Sequence, residues 1–366
     1  MLATAGEVAV LGVSGLLLGV TALPLSRSKA WWVRMWDFPR VQIAAGLAGG
    51  LVLAILTGPW RPLLLPALAG ALAYQLWRIR PYSPLVAREV GMAQPDPEQD
   101  LRLLAANVLM ENDRYAAMLA RIDAVDPDVL LLMETDAAWV AALEPALARY
   151  PTVIRVPQEN YYGLVFATRL ETVEARAVRL STDDTPSVFA ELADRQGRPF
   201  RFVGLHPRPP TPGEDTDARD AQILYSARFA AQSGIPLVAM GDFNDAAWSD
   251  TAQRFKTVGG YLDPRIGRGL FASFDARRWW FRCPIDQIYV TPDVAVVDFH
   301  RGAATGSDHF PMIATLRLDA EAAARLNRAP RVLSGSDAEA VEAGVAAWRK
   351  RLGPDAFPVP GAGAEG

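Results

Sequence analysis

Cysteine is almost absent from this chain. Cys283 is the only one, so no internal disulfide framework can staple the fold and stability must come from burial. Histidine is scarce too, with three copies at His206, His300 and His309. The first ten residues, MLATAGEVAV, hold one Glu and no Lys or Arg, which removes the basic n-region of a cleaved secretory signal. No fixed-period repeat runs through the part after residue 100, which excludes solenoid and propeller arrays there. Most of the chain also lacks a basic excess. Residues 1–90 hold eight Lys/Arg against three Asp/Glu, but the whole chain holds 37 against 41, leaving 29 against 38 after residue 90. That acidic remainder has no broad basic composition of the kind that grips a long polyanion.

Apolar runs crowd the front instead. Val8–Leu25 is 18 residues without a charge, long enough to cross hydrocarbon as a helix. Val41–Thr57 is a second run, and Leu63–Trp77 a shorter, proline-bearing third. Five of the ten tryptophans fall within residues 31–77, as at a membrane–water interface. Arg27, Lys29, Arg34 and Arg40 lie between the first two runs, Arg78, Arg80 and Arg88 follow the third, and only Arg61 sits between the second and third. The positive-inside rule then puts both basic loops in the cytoplasm, with three spans, an outside N-terminus and a cytoplasmic body. If the third run does not span, parity flips and the body faces outward. The expected organisation is a membrane anchor of two or three helices over 1–90, a polar, proline-bearing linker over 91–100, a catalytic body over 101–318 and a tail over 319–366. In that tail Asp337–Leu352 has helical composition, while the last residues, rich in Gly, Pro and Ala, suit disorder.

The body alternates short apolar runs with helical spacing. Leu101–Ala106, Val129–Met133, Gly163–Ala167, Phe189–Leu192, Phe200–Leu205, Ile235–Met240, Ile285–Val290 and Met312–Leu318 read as strands, and Arg114–Val125 and Ala218–Ala231 as helices. Fully apolar strands mean sheets covered on their outer faces. Polar residues punctuate the strand ends: Asn107 after LLAA, Glu134 after VLLLM, His206 after FRFVGL, and Asp242 with Asn244 in MGDFN. Asp286 lies inside PIDQIYV, and Asp308 with His309 in the GSDH turn. Each alone has a bland reading, as the solvated end of a strand, an Asx-turn or a core histidine. Together they supply the hard oxygens and imidazole of a magnesium-dependent phosphoryl-transfer site, where one or two carboxylates and a substrate phosphate suffice. A buried Asp such as Asp286 also calls for a partner, and a histidine is a natural one. His300, in DFHRG, has no such company and reads as a surface residue.

With AAN at 105–107, ME at 133–134, LH at 205–206, GDFN at 241–244, ID at 285–286 and SDH at 307–309, residues 101–318 resemble the endonuclease/exonuclease/phosphatase superfamily. GDFN and SDH at this separation are the specific pair. The resemblance implies an α/β fold, a four-layer α-β-β-α sandwich of two packed β-sheets flanked by helices, here behind an N-terminal transmembrane anchor. It also implies a Mg²⁺ ion (Mn²⁺ as substitute) held by Glu134 with Asn107 and Asp308. His309, oriented by Asp286, would activate water or stabilise the phosphate, with Asp242 the alternative base. Asn244 would bind a phosphate oxygen, and His206 would donate to the phosphate or the leaving group. The implied activity is phosphoester hydrolysis, with nuclease action the commonest in the superfamily. A membrane-proximal lipid phosphoester suits the anchor and the acidic body. The expected partners are a lipid bilayer and a phosphoester substrate, nucleic acid included. The rival from another class is a catalytically silent, tethered binding module on the same fold. Arg208, Arg265 and Arg268 are candidate phosphate contacts outside the metal site, and RRWWFR at 277–282 reads either as a single-strand or lipid contact or as a structural aromatic cluster.

Overall fold

The computed structural model describes residues 5–55, 60–180, 184–231 and 234–331, with three isolated positions beyond. The chain forms two compact units: Met1–Val86 with Pro210–Thr216, and Ala87–Pro209 with Asp217–Gly366. Apart from Glu339 and Ala343, the tail helix expected over Asp337–Leu352 lies outside the described residues, as do Leu56 and Thr57 at the end of the second apolar run.

The first unit holds helices α1 (Ala5–Ala22), α2 (Trp31–Arg34), α3 (Arg40–Ile55) and α4 (Arg61–Ile79). Val20, Ile43, Leu47, Ala54, Leu64 and Leu68 close its apolar centre. A polar chain ties the helices together. Buried Arg40 donates through Nη1 to Gln75 Oε1 at 3.0 Å and through Nη2 to Asp37 Oδ1 at 2.5 Å, and Gln75 Nε2 donates to Thr21 Oγ1 at 3.2 Å. Pairing satisfies a charge that burial would otherwise penalise. Continued to Ser26, α1 gives 22 residues long and apolar enough to cross a membrane. Trp31–Asp37 with α3 passes the same test only as a pair bent by 77°. The third run does form a helix, α4, with Pro66 inside it, but it does not pass by length and composition.

The second unit contains eleven named strands: β1 (Leu101–Asn107), β2 (Val129–Met133), β3 (Thr152–Val156), β4 (Leu164–Thr168), β5 (Glu171–Arg179), β6 (Pro186–Ala193), β7 (Pro199–Leu205), β8 (Leu237–Asp242), β9 (Asp286–Val290), β10 (Ala295–Arg301) and β11 (Met312–Arg317). They form a six-stranded sheet in the order β10-β11-β1-β2-β4-β3 and a five-stranded sheet in the order β5-β6-β7-β8-β9. Both sheets are mixed, with β1–β2 and β7–β8 parallel at their centres. Helices α5 (Tyr115–Val125), α6 (Ala137–Leu147), α7 (Asp217–Ala231), α8 (Asp250–Val258) and α9 (Ala320–Leu326) complete the unit.

Strand periodicity sorts the side chains into layers. Leu103, Ala105, Leu131 and Met133 meet Val188, Ala190, Phe202, Val238 and Met240 between the two sheets, with the Phe166 and Phe202 rings 5.6 Å apart. The alternate residues Leu104, Ala106, Leu130 and Leu132 face Met118, Ile122, Trp139 and Leu143 of α5 and α6. Phe189, Val203, Leu205 and Ala239 face Ile223 of α7 and Phe255 of α8. The result is the four-layer sandwich expected from the sequence. Residues 91–100 pack on this unit: Gly91 N donates to Leu326 O at 2.9 Å, and Arg317 Nη2 bonds Asp100 Oδ1 at 2.7 Å.

Candidate active site

Sheet register gathers the site. Asn107 pairs with Met133 across β1 and β2, which sets the Asn107 amide beside Glu134, the next residue. Leu205 pairs with Gly241 across β7 and β8, placing His206 beside Asp242, and Asp242 pairs directly with Asp286 of β9. The same ends of the two central strand pairs then converge across the sandwich. Asn107 Nδ2 donates to Glu134 Oε1 at 2.7 Å on its own sheet and to Asp242 Oδ2 at 3.1 Å on the other.

The backbone at these ends is unusual. Glu134 has φ 61° and Asn244 φ 45°, left-handed values that non-glycine residues adopt at a cost and that cluster at functional sites. Gly241, at φ 146°, lets β8 approach β7 so closely that a Cβ would meet Leu205 O at 2.1 Å. This is the structural reason for the glycine before Asp242.

Asp242 Oδ2 is the hub. Beyond Asn107, His309 Nε2 lies 3.6 Å away and His206 Nε2 3.9 Å away. Its other oxygen, Oδ1, accepts from Asn244 N at 2.9 Å. His309 Nδ1 bonds Asp286 Oδ2 at 2.7 Å. Burial disfavours the His309 cation, but Asp286 and Asp242 together outweigh it and hold the imidazole at about 10. At neutral pH His309 is therefore an imidazolium clamped between two carboxylates. His206 is the opposite case: burial dominates, against the pull of Asp242, and lowers it to about 4, so it stays neutral. Glu134 is raised to about 7, first by burial, with Asp242 and Asp308 adding to the rise while the Asn107 bond and the His309 charge oppose it.

The site thus carries more carboxylates than cations, and hard oxygens are what a divalent cation of the magnesium kind takes. Two further observations bear on where one would sit. Asp286 Oδ1 is buried without a hydrogen-bond donor among the described residues. Ligand atoms of Asp242, Asp286 and His309 also lie within 4.8 Å of one another. Because the proton shared by His309 and Asp286 already occupies that trio, the uncompensated charge lies on the Glu134 side.

All eight residues singled out in the sequence fall in this region. Two adopt contacts other than those expected. Asn107, expected as an oxygen ligand, presents Nδ2 to the carboxylates, while its Oδ1 accepts from Leu109 N at 3.0 Å. Asn244 turns its Nδ2 to Pro207 O at 2.9 Å and so ties the His206 loop to β8. His300 is on the surface beside Asp298, as expected. Arg265 is not a phosphate contact: it is fully buried, bound to Asp263 Oδ1 at 2.8 Å and stacked 5.4 Å over Tyr289. Arg268 is held by Val90 O at 2.5 Å and Pro264 O at 2.9 Å. Arg208 does lie near the site, over the Tyr162 ring at 5.2 Å, and that ring is 5.5 Å from His206.

Sequence reasoning missed several neighbours. Phe274 sets its ring 5.0 Å from His309, and Ser273 Oγ accepts from Asp286 N at 3.1 Å, while Arg277, noted only as part of RRWWFR, donates through Nη2 to Asp308 Oδ2 at 3.1 Å. These lie in irregular loops, where no periodicity marks them.

Comparison with known proteins agrees with this architecture. The model of the Endonuclease/Exonuclease/phosphatase family matches residues 104–309, more than half of the chain. No curated protein sequence matches it. Among solved structures, D. rerio TDP2 with a single-strand DNA product is 15% identical, covers 60% of this chain and 99% of its own, and has a TM-score of 0.50. The human Nocturnin catalytic domain with bound sulfate is 17% identical, covers 64% and 98%, and has a TM-score of 0.50. Identities this low speak to the fold alone. With the family model, the sandwich and the site in register, the chain belongs to the endonuclease/exonuclease/phosphatase family of divalent-metal-dependent phosphoester hydrolases.

Proposed function

We propose that the protein is a membrane-anchored, Mg²⁺-dependent phosphoester hydrolase in which Asp242 is the general base and His309 an obligate cation. The observation that carries this reading is the His309 imidazolium, bonded at Nδ1 by Asp286 at 2.7 Å and facing Asp242 with Nε2 at 3.6 Å. A histidine held at about 10 has no free lone pair for a proton at neutral pH. It suits donation to a phosphate oxygen, where a fixed positive hydrogen-bond donor offsets developing charge.

Asp242 then accepts the proton from the attacking water. The water oxygen bonds to phosphorus, the ester P–O bond breaks, and the leaving oxygen takes up a proton from solvent. Neutral His206 adds a second imidazole beside the same carboxylate. Glu134 and Asp308 would hold the cation, with Asn107 fixing Glu134 against Asp242. Bound there, a divalent ion supplies Lewis-acid charge against the phosphate oxygens, and Mn²⁺ satisfies the same oxygen donors. The anchor is α1, backed by the bent pair and α4. A cytoplasmic catalytic unit requires the proline-bearing α4 to cross as a third span, which would put both basic loops inside; without that crossing the parity reverses, and a reporter fused after Leu318 that is active only outside would show it.

The substrate is a phosphoester. Single-stranded nucleic acid, the product carried in the TDP2 structure, is one class, and a bilayer-borne phosphoester is the other. The test uses full-length protein in detergent with bis(p-nitrophenyl) phosphate, with Mg²⁺, Mn²⁺ or EDTA. Asp242→Ala and His309→Ala should each lower kcat by about 10²–10⁴, the usual worth of a positioned acid or base. Wild-type rates in both variants, or full activity in EDTA, would overturn the assignment.

A further inference from the structure

The stretch Arg277–Arg282 has a definite place in the structure. Trp279 is 82% exposed and Trp280 59% exposed, so the two tryptophans are not part of a buried cluster, while half-buried Phe281 packs its ring 6.3 Å from Phe274. The loop is nonetheless built into the site. Ala276 N donates to Asp308 O at 2.6 Å, and Arg277 Nη2 reaches Asp308 Oδ2 at 3.1 Å. Phe274, just before the loop, forms a backbone bridge with His309. Two large apolar rings therefore stand in solvent on the segment that borders the catalytic histidine.

Their surroundings are cationic. Arg277 and Arg278 flank the rings on one side and Arg282 on the other. Asp275 pairs with Arg277 at 3.6 Å and with Arg278 at 3.4 Å, and Asp308 also takes Arg277, so the cationic excess of the loop rests on Arg282 with Arg301 beside it. Arg282 and Arg301 both lie over the Phe310 ring, at 5.1 Å and 5.0 Å, and Phe310 directly follows His309. The edge of the site is thus a basic, aromatic lip on an otherwise acidic body. Exposed tryptophans cost solvation free energy in water but are favoured at a bilayer interface, and adjacent arginines attract anionic headgroups.

We infer that the Arg277–Arg282 loop is a membrane-contacting lip that docks the catalytic site on an anionic bilayer, so that its substrates are phosphoesters held at the lipid surface. This deepens the proposed function and rests on it for the chemistry. Two observations favour a bilayer over nucleic acid. The same chain carries a helix of 22 residues able to cross a membrane, and tethering raises the effective concentration of the surface, so even a weak lip suffices. The lip also sets two exposed tryptophans side by side, the residue type favoured at a bilayer interface.

The test reads docking without relying on turnover. Full-length protein carries an environment-sensitive fluorophore at Trp279→Cys in a Cys283→Ser background, since Cys283 is the only native cysteine. It is reconstituted in phosphatidylcholine, alone or mixed with phosphatidylglycerol. The expected result is a blue-shifted emission, quenched by doxyl-labelled lipid and shielded from iodide, most strongly with the anionic lipid. Replacing Arg278 and Arg282 by Gln should lower the docked fraction about tenfold in anionic bilayers. A label at Val173, exposed on β5, should stay open to iodide. His309→Ala should dock like the parent, which separates failure of the chemistry from failure of the lip. A label open to iodide and insensitive to doxyl lipid in both bilayers overturns the inference. So does shielding that appears only when a single-stranded oligonucleotide is added, which would assign the lip to nucleic acid.

Discussion

Replacing Glu134 by Gln should make the metal-free protein more stable. The Glu134 side chain is 15% exposed, and burial with nearby Asp242 and Asp308 raises its pKa from 4.5 to about 7. A carboxyl that prefers its protonated form when folded binds more protons folded than unfolded between those values. Stability therefore falls as pH rises from 4.5 through about 7 and stays reduced above it. The rise in pKa corresponds to about 3 kcal/mol at pH 8. Gln keeps the oxygen that accepts from Asn107 Nδ2 and cannot ionise. Full-length protein in detergent and EDTA at pH 8 should therefore melt higher as Glu134→Gln, by roughly 5–10 °C for a unit of this size. The buried Trp139 and Trp248 provide a fluorescence readout. At pH 4.5 the difference should vanish. Mg²⁺ should raise the melting temperature of the parent at pH 8 and much less at pH 5, where the proton holds the ligand, and should do little to the variant. A variant that melts at or below the parent at pH 8 without metal would refute the reasoning, because Glu134 would then be compensated by groups other than a cation.

Three further outcomes follow from the same geometry. Asp286→Asn removes the largest favourable influence on the His309 cation. The fall in activity that accompanies His309 deprotonation should then move from about pH 10 toward neutrality, as read from a kcat–pH profile; the stability that charged His309 lends, complete below its unfolded value near 6.5 and lost as pH rises through about 10, should shrink with it. Gly241→Ala forces a Cβ to 2.1 Å from Leu205 O at φ 146°, so it should cost at least about 1–3 kcal/mol from backbone strain, seen in denaturant midpoints. Arg265→Ala leaves Asp263 buried without its bidentate partner and should cost about 3–5 kcal/mol, with the KM for a phosphoester unchanged when measured below the lowered melting point.

Much of the catalytic unit was legible because short apolar-rich runs, too short for a helix and bounded by polar or turn residues, read as covered strands. Val129–Met133 falls on β2 residue for residue, and the polar residue closing each run marks where a buried strand reaches the site. The elements left unread had weaker patterns. β5 alternates exposed and half-buried positions at a sheet edge, and α6 carries Pro145 inside it, which argues against a helix locally even though packing against β1 and β2 keeps one. Arg265 was misread for a related reason: loop arginines are usually solvated, and only the folded chain shows Asp263 and Tyr289 enclosing it.

The sequence by itself determined the alternating strand and helix pattern, the identity of the acids, amides and histidines at the strand ends, and an apolar helix at the front. Those depend on local periodicity and residue chemistry, which one stretch of chain carries alone. Tertiary structure decided which of these groups share a proton. Asp286 is 23 residues from His309 in sequence and 2.7 Å from it in space, and Asn107 bonds Asp242 across 135 residues. Charge on a buried imidazole or carboxyl depends on such neighbours and on how much water burial removes. That is why His309 is held as a cation, His206 is held neutral and Glu134 is pushed toward its protonated form.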